Sequence, residues 1–232
     1  MLYDRTAARA NIRNRDGKRV FYLGKGDQLT SDAKDFLRAE RIEILSAELA
    51  KPDHYRLLCG GVMTEKPEHF THLNAQVLVE KTHPRIRFRG AIDTLEAAIV
   101  LCAHEAQGKI RDQLSEVLAL TRLLVRADVL EEAVPDLPLC GMRQDEIRMR
   151  SHRPQDFYNQ AHFMPEPIDS HLLLLINQAR CSARAAELVA AQAFTDANGA
   201  LLREDILRAM NRLSSMLYLI MIEIKASSSH KE

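Results

Sequence analysis

Apolar residues recur with two different rhythms along this chain, and the rhythm changes near residue 90. From Ala91 onward the spacing is helical. Leu95, Ala98, Ile99 and Cys102 fall at i, i+3, i+4 and i+7, so they share one face of a helix that reaches about Gln107. A second helix is predicted from about Ile110 to Glu132, stopping ahead of Pro135, and a short one around Gln144 to Ser151. Residues 152 to 168, rich in histidine, proline and aromatic residues, read as a loop. A long helix is predicted over about Ser170 to Thr195, with Leu172, Ile176, Ala179, Ala183, Ala186 and Val189 as its apolar stripe. Asp196-Ala197-Asn198-Gly199 breaks it. The last helix, from about Arg203 to Ala226, turns Leu207, Met210, Leu213, Leu217 and Ile220 inward. Up to five helices with short connections form a bundle.

The first 60 residues follow a different pattern. Arg19 to Leu23 and Ile42 to Leu45 read as short strands. Between them lie a turn at Gly24-Lys25-Gly26-Asp27 and a short amphipathic helix opened by Thr30 and running through Ala39. This strand–helix–strand element is expected to be too small for a core of its own. Residues 59 to 85 carry glycine, proline and histidine without periodicity and read as an ordered loop. The predicted organisation is therefore a mainly α protein: a small α/β extension over 1–60 and a helical-bundle domain over 61–232, with a frayed tail from Ser227.

Composition narrows the function classes. Basic and acidic residues balance, 32 against 32, which argues against a nucleic-acid or membrane partner. No apolar run is long enough to span a bilayer, and the N-terminal residues lack the apolar core of a secretory signal. The cysteines Cys59, Cys102, Cys140 and Cys181 are scattered without a C-x2-C pair, as expected for reduced thiols in the cytoplasm.

The chemistry gathers in Ile176 to Glu187, which reads INQARCSARAAE. Arg180, Arg184 and Glu187 stand at i, i+4 and i+7, one stripe of a helix, and Asn177 extends it backwards. Guanidinium forks match the oxygens of phosphate, so two arginines beside an apolar face suggest an anion site. On the last helix Asn211, Ser214, Ser215 and Tyr218 share a face.

Three separated segments match one pattern. Gly90-Ala91-Ile92-Asp93-Thr94-Leu95-Glu96 resembles the G-T-x-D-E-L segment of ATP:corrinoid adenosyltransferases of the propanediol-utilisation type. Arg180, Arg184 and Glu187 match that family's R-x3-R-x2-E, and Asn211-Arg212-Leu213-Ser214-Ser215-Met216-Leu217-Tyr218 resembles its N-R-L-S-D-x-L-F. Lys66-Pro67, Thr71-His72-Leu73, Lys81-Thr82-His83-Pro84-Arg85, Arg126-Ala127-Asp128, Ser151-His152-Arg153-Pro154 and His162-Phe163-Met164-Pro165 look like the ethanolamine-utilisation branch of the same enzymes. The resemblance covers nearly the whole chain.

The resemblance implies a helical-bundle enzyme that transfers the 5′-deoxyadenosyl group from ATP, as its magnesium complex, to cob(I)alamin. Triphosphate leaves, and the cofactor itself is the nucleophile. It implies ATP contacts from Lys66, Lys81, Arg184, Glu187 and Asn211, with Arg184 the main triphosphate contact and Glu187 orienting it or holding magnesium through water. It implies an Asp93–Arg180 ion pair supporting the corrinoid side of the site, which makes Asp93, Arg180 and Arg184 the candidate catalytic set. It also implies a phenylalanine over the lower face of the cobalt. Phe163 is favoured for that place, although strict alignment of H-F-M-P on the family's F-x-x-P puts His162 there. The implied partners are a reductase that supplies electrons to cobalt and further copies of the chain, as a dimer or trimer with sites between subunits. The implied location is the cytoplasm, including the interior of a bacterial microcompartment.

In one respect the chain departs from that branch, whose members can carry a metal motif, H-x11-C-C-x2-C. Here only Cys59 matches; Glu43, Tyr55 and Arg56 stand at the other three positions. One thiolate does not make a tetrahedral site, so no metal of that kind is expected, and His54, Cys59, His69 and His72 are the residues from which an improvised one would come. Two further readings fit the same helices: a corrinoid carrier that has lost turnover, and a helical interaction protein of a microcompartment.

Overall fold

The computed structural model describes residues 1–15, 17–46 and 55–229, which form two compact units, Met1–Lys66 and Pro67–Glu232. The division thus falls between Lys66 and Pro67, a few residues beyond the expected 60.

In the first unit, strand β1 (Leu2–Tyr3), helix α1 (Arg5–Ala10) and strand β2 (Ile12–Arg15) precede the predicted elements. Strand β3 (Lys18–Leu23), strand β4 (Gln28–Leu29), helix α2 (Ser31–Ala39) and strand β5 (Glu43–Ser46) follow. β3 lies between β2, antiparallel, and β5, parallel, with α2 in the crossover between β3 and β5; β1 pairs with β4. Thr30 caps α2: its hydroxyl accepts from the Ala33 amide at 3.2 Å. Contrary to expectation, this unit has a small core of its own. Ala8, Phe21, Leu29, Ala33, Leu37 and Ile42 are buried together. The N-terminal residues make the difference, because α1 brings Ala8 and β1 brings Tyr3 edge-on to Phe21, with ring centroids 5.2 Å apart. The segment read as a loop is also more regular than expected. It holds β7 (Val62–Met63), which forms a hairpin with β6 (Tyr55–Leu57) just before it in this unit. In the second unit it holds a hairpin of β8 (Phe70–His72) and β9 (Val77–Glu80). Strands of two to four residues are too short to show a period.

The second unit is the helical bundle: α3 (Pro84–Glu105), α4 (Gly108–Leu130), α5 (Gln144–His152), α6 (Pro154–Tyr158), α7 (His171–Ala193) and α8 (Glu204–Ser229). α3 and α8 flank α7, α4 packs on both α3 and α8, and α5 lies on α8. The seam of α7 is mostly alanine, buried at 179, 183, 186 and 190, so its two neighbours can come close. Leu173 and Ala190, not Leu172 and Val189, are the buried ends of that seam. Residues Met216, Leu217, Leu219, Ile220, Met221 and Ile222 are all buried, which makes the second half of α8 the centre of the bundle. The Asp-Ala-Asn-Gly break after α7 is a tight turn. The Asp196 carboxylate accepts from the Asn198 and Ala200 amides, and Gly199 takes φ +83°. α6 is a short helix inside the segment expected to be a loop.

α3 begins seven residues earlier than its apolar periodicity predicts, with Pro84 at its first position and His83 capping it through Nδ1 to the Arg85 amide at 3.2 Å. The cause is a buried ion cluster. Asp128 of α4 is fully buried. Arg85 Nε reaches its Oδ1 at 2.7 Å and Arg89 Nε its Oδ2 at 2.6 Å. Arg85 and Arg89 are one turn apart, so only a helix presents both to one carboxylate. Arg89 also donates to the carbonyls of His72 and Leu73, which ties the β8–β9 hairpin to the start of α3. Among the described residues no helix is long and apolar enough to cross a membrane.

Candidate functional site

The predicted polar stripe of α7 lies against the predicted polar face of α8, and two contacts join them. Asn211 Nδ2 donates to Glu187 Oε1 at 3.1 Å. Seven residues back along α7 and seven forward along α8, the Arg180 guanidinium lies 5.9 Å from the centre of the Tyr218 ring. The two contacts are rungs of one antiparallel ladder, about 10 Å apart at the rise of an α-helix.

The first rung carries polar chemistry. Arg184 is exposed and has no hydrogen bond or ion pair to a described residue, so its fork of donors is available. Glu187 is held by Asn211. The Asn211 amide is engaged at both ends, because its Oδ1 accepts from Arg212. Each end keeps one further hydrogen-bonding position. Arg208 and Arg148 stand close enough to Arg212 to lower its pKa, after burial, the larger cause. Arg148, Arg208 and Arg212 thus gather near this rung, beside the Glu187 carboxylate. Lys81, which follows β9, is exposed; its backbone N–H donates to the His69 carbonyl at 2.8 Å, in the hairpin that Arg89 fixes. Lys66 is exposed at the end of the first unit.

The second rung is aromatic. Tyr218 is half-buried, with the Phe163 ring 6.1 Å away at 27° and the His162 ring 5.8 Å away at 7°. Its hydroxyl meets His162 Nδ1 at 2.9 Å and the Phe163 amide at 3.4 Å. Phe163 is half-buried against the bundle core, with the Lys225 ammonium 5.8 Å from its ring centre. Lys225 is in turn paired with Asp169. The Asp169 carboxyl is held below the usual range by the Glu166 amide and by Lys225. Sequence reading had placed Tyr218 on the face of Asn211 without giving it a contact. Its signals are the seven-residue spacing and its place at the end of the segment that resembles N-R-L-S-D-x-L-F. Nothing in the sequence pointed to Lys225 or Asp169.

One expected contact is not made within the chain. Asp93 is exposed on α3 and forms no ion pair with Arg180. Arg180 Nε and Nη2 donate instead to Asn177 Oδ1 at 3.2 and 3.0 Å. The packing explains it: α3 turns Ile92 and Leu95 into the core and leaves Asp93 on the solvent side, while Arg180 leans toward α8.

Among the described residues no three His, Cys, Asp or Glu side chains come together as a metal site. Cys59 is exposed, and His54 lies outside the described residues. Burial pushes the Cys102 thiol up to about 11 and the Cys140 thiol up to about 12, so neither is a thiolate at neutral pH.

A sequence profile of the cobalamin adenosyltransferase family matches residues 62–224. The corrinoid adenosyltransferase EutT of Salmonella typhimurium is 29% identical over 240 residues, covering 94% of this chain and 90% of that protein. EutT of Escherichia coli K12 is 33% identical over 165 residues, 71% of this chain and 62% of that protein. The fold is similar to that of a variant PduO-type ATP:corrinoid adenosyltransferase from Lactobacillus reuteri, solved in complex with cobalamin and ATP. The TM-score is 0.52 at 14% identity, over 75% of this chain and 90% of the other.

Proposed function

Because the chain belongs to the cobalamin adenosyltransferase family, we propose that it transfers the 5′-deoxyadenosyl group of ATP to cob(I)alamin along the ladder between α7 and α8. In this reaction the cobalt electron pair attacks C5′, the C5′–O bond breaks, and triphosphate carries away the negative charge. The protein supplies no nucleophile; it holds the two substrates in line and stabilises the leaving group.

The observation that carries this reading is the ladder itself: a free arginine with an ordered carboxylate at one rung and a cluster of aromatic rings at the other. Arg184, Lys81 and Lys66 are the candidate triphosphate contacts, since cationic donors stabilise charge that builds on the leaving oxygen. Glu187, fixed by Asn211, is suited to orient Arg184 or to hold magnesium through water. Asn211 keeps a donor and an acceptor position for a ribose or adenine edge. Phe163 is suited to cover the lower face of the corrinoid, which removes an axial ligand and gives a four-coordinate cob(II)alamin that is easier to reduce. A reductase supplies that electron.

Asp93 makes no hydrogen bond or ion pair to a described residue, which supports an assembly in which it meets Arg180 of a second copy, with sites between subunits of a dimer or trimer. The reading places the protein with ethanolamine utilisation, in the cytoplasm or within a microcompartment. The test is a spectrum of cob(II)alamin mixed with protein and ATP, followed by turnover with reductant. A blue-shifted four-coordinate band and formation of adenosylcobalamin are expected; ATP-independent corrinoid binding without either would leave a carrier instead.

A further inference from the structure

We propose that Tyr218 is a positioning residue: its hydroxyl holds His162 with both ring nitrogens turned into the protein, so that the imidazole stays off the cobalt and Phe163 alone meets the lower face. The inference rests on the adenosyltransferase reading above and adds to it a residue with a distinct task.

Its basis is a chain of hydrogen bonds whose directions are fixed by chemistry. His162 Nε2 lies 3.3 Å from the backbone carbonyl of His152. A carbonyl only accepts, so Nε2 carries the proton. In the neutral ring Nδ1 is then a lone-pair acceptor, and the atom facing it at 2.9 Å, the Tyr218 oxygen, must donate. The same oxygen accepts from the Phe163 amide at 3.4 Å. Phe163 N–H to Tyr218 O–H to His162 Nδ1 is one directed relay, and it closes on His152 at the end of α5. Neither nitrogen of His162 is left with a lone pair directed outward.

The problem this arrangement meets is local. An imidazole nitrogen is a good axial ligand for cobalt. His162 sits beside the side chain proposed to exclude such ligands, and it is exposed. A phenylalanine at 218 would keep the aromatic contacts with Phe163 and Arg180 but could not occupy Nδ1. Two of the places where the sequence departs from its pattern, a histidine before Phe163 and a tyrosine at the end of the Asn211 segment, are thus in contact with each other.

The experiment compares the wild-type protein with Tyr218→Phe, each uniformly labelled with nitrogen-15, in the presence of cob(II)alamin and ATP. Electron paramagnetic resonance reads the axial ligand. The wild type is expected to show the four-coordinate signal without splitting from a protein nitrogen. In Tyr218→Phe the four-coordinate fraction is expected to fall about fivefold, the shift that loss of one net hydrogen bond produces. A five-coordinate signal split into a doublet by labelled nitrogen should replace it, and His162→Leu in the same background should abolish the doublet. ATP affinity should stay within twofold, roughly the scatter of a distant substitution. A Tyr218→Phe protein that keeps the full four-coordinate signal, without the doublet, overturns the proposal. A wild type that never forms the four-coordinate state overturns the enzymatic reading, and the role of Tyr218 with it. Should the variant not fold, nitrogen-15 spectra of wild-type histidines decide: His162 protonated at Nε2 supports the lock, and protonation at Nδ1 overturns it.

Discussion

At the scale of single residues, Arg184 and Phe163 answer different questions. Arg184 is exposed and makes no hydrogen bond or ion pair to a described residue, so its removal should leave the fold intact. Arg184→Ala is expected to weaken ATP binding by about 2–3 kcal/mol, the worth of a charge-assisted hydrogen bond. Titration calorimetry reads the loss, and an unchanged melting curve shows that it is not structural. Unchanged ATP affinity would remove Arg184 from the site. Phe163 is half-buried between Tyr218 and Lys225. Phe163→Ala is expected to slow reduction of cob(II)alamin roughly tenfold or more, the order of one axial-ligand preference, while ATP affinity holds. Chemically prepared cob(I)alamin should restore most of the rate, because it bypasses the reduction. A pure packing role would appear instead as lost stability, below the ~3–5 kcal/mol of a fully buried phenylalanine.

At the scale of elements, two ion clusters hold the bundle's connections. Asp128 is buried between Arg85 and Arg89, and removing it takes away the carboxylate that the two mostly buried guanidinium groups share. Asp128→Ala is expected to cost ~3–5 kcal/mol, read by chemical denaturation, and to loosen the hairpin that precedes Lys81. A variant as stable as the wild type would show that the cluster is dispensable. The second cluster lies where α4 passes to α8. Asp205 accepts from Arg203 and from the Val134 amide, and Arg203 Nη2 reaches the Glu132 carbonyl. The Arg203 hydrogen bond is the main cause that holds the Asp205 carboxyl down at about 2, against an ordinary 3.8. A carboxyl held below its unfolded value stabilises the fold above that value. The contribution fades as pH falls from about 4 towards about 2. Asp205→Asn is expected to flatten the acid limb of melting temperature against pH in that window. Parallel curves for the two proteins would show that the cluster contributes nothing.

At the scale of the whole molecule, the question is what else the protein needs in order to work. Glu43, Tyr55 and Arg56 stand where three of four metal ligands would be, and they are poor replacements for histidine and two thiolates. Activity is therefore expected to survive purification with a strong chelator once magnesium is restored. Activity that returns only with zinc or ferrous iron would show that a different ligand set exists, and His69 and His72 would be the first to replace. Asp93 and Arg184 are both exposed; if a second copy completes the site, as proposed, turnover per chain should rise with protein concentration as the assembly forms.

Much of the bundle and most of the ladder could be read from the sequence, because those features depend on a residue's own helix. α4, α5 and α7 begin and end within about two residues of their predicted bounds, as expected where the apolar period is continuous. Thr30 caps α2, and Asp196 to Gly199 breaks the chain between α7 and α8, since both are local hydrogen-bonding chemistry. The spacing of Arg180, Arg184 and Glu187 put them on one stripe. What lay opposite that stripe was not legible. The Arg-Ile-Arg-Phe-Arg run from Arg85 to Arg89 alternates like a strand, yet it is helical because Asp128, 43 and 39 residues away, is satisfied only by two arginines one turn apart. The first unit acquired a core through residues that carry no pattern, Tyr3 and Ala8. Arg180 leaned toward Tyr218 rather than Asp93, and Tyr218 took His162 and Phe163 from a loop 56 and 55 residues earlier. A periodic pattern records which way a side chain faces; only the packed chain decides what it meets there, because the partner is set by contacts remote in sequence.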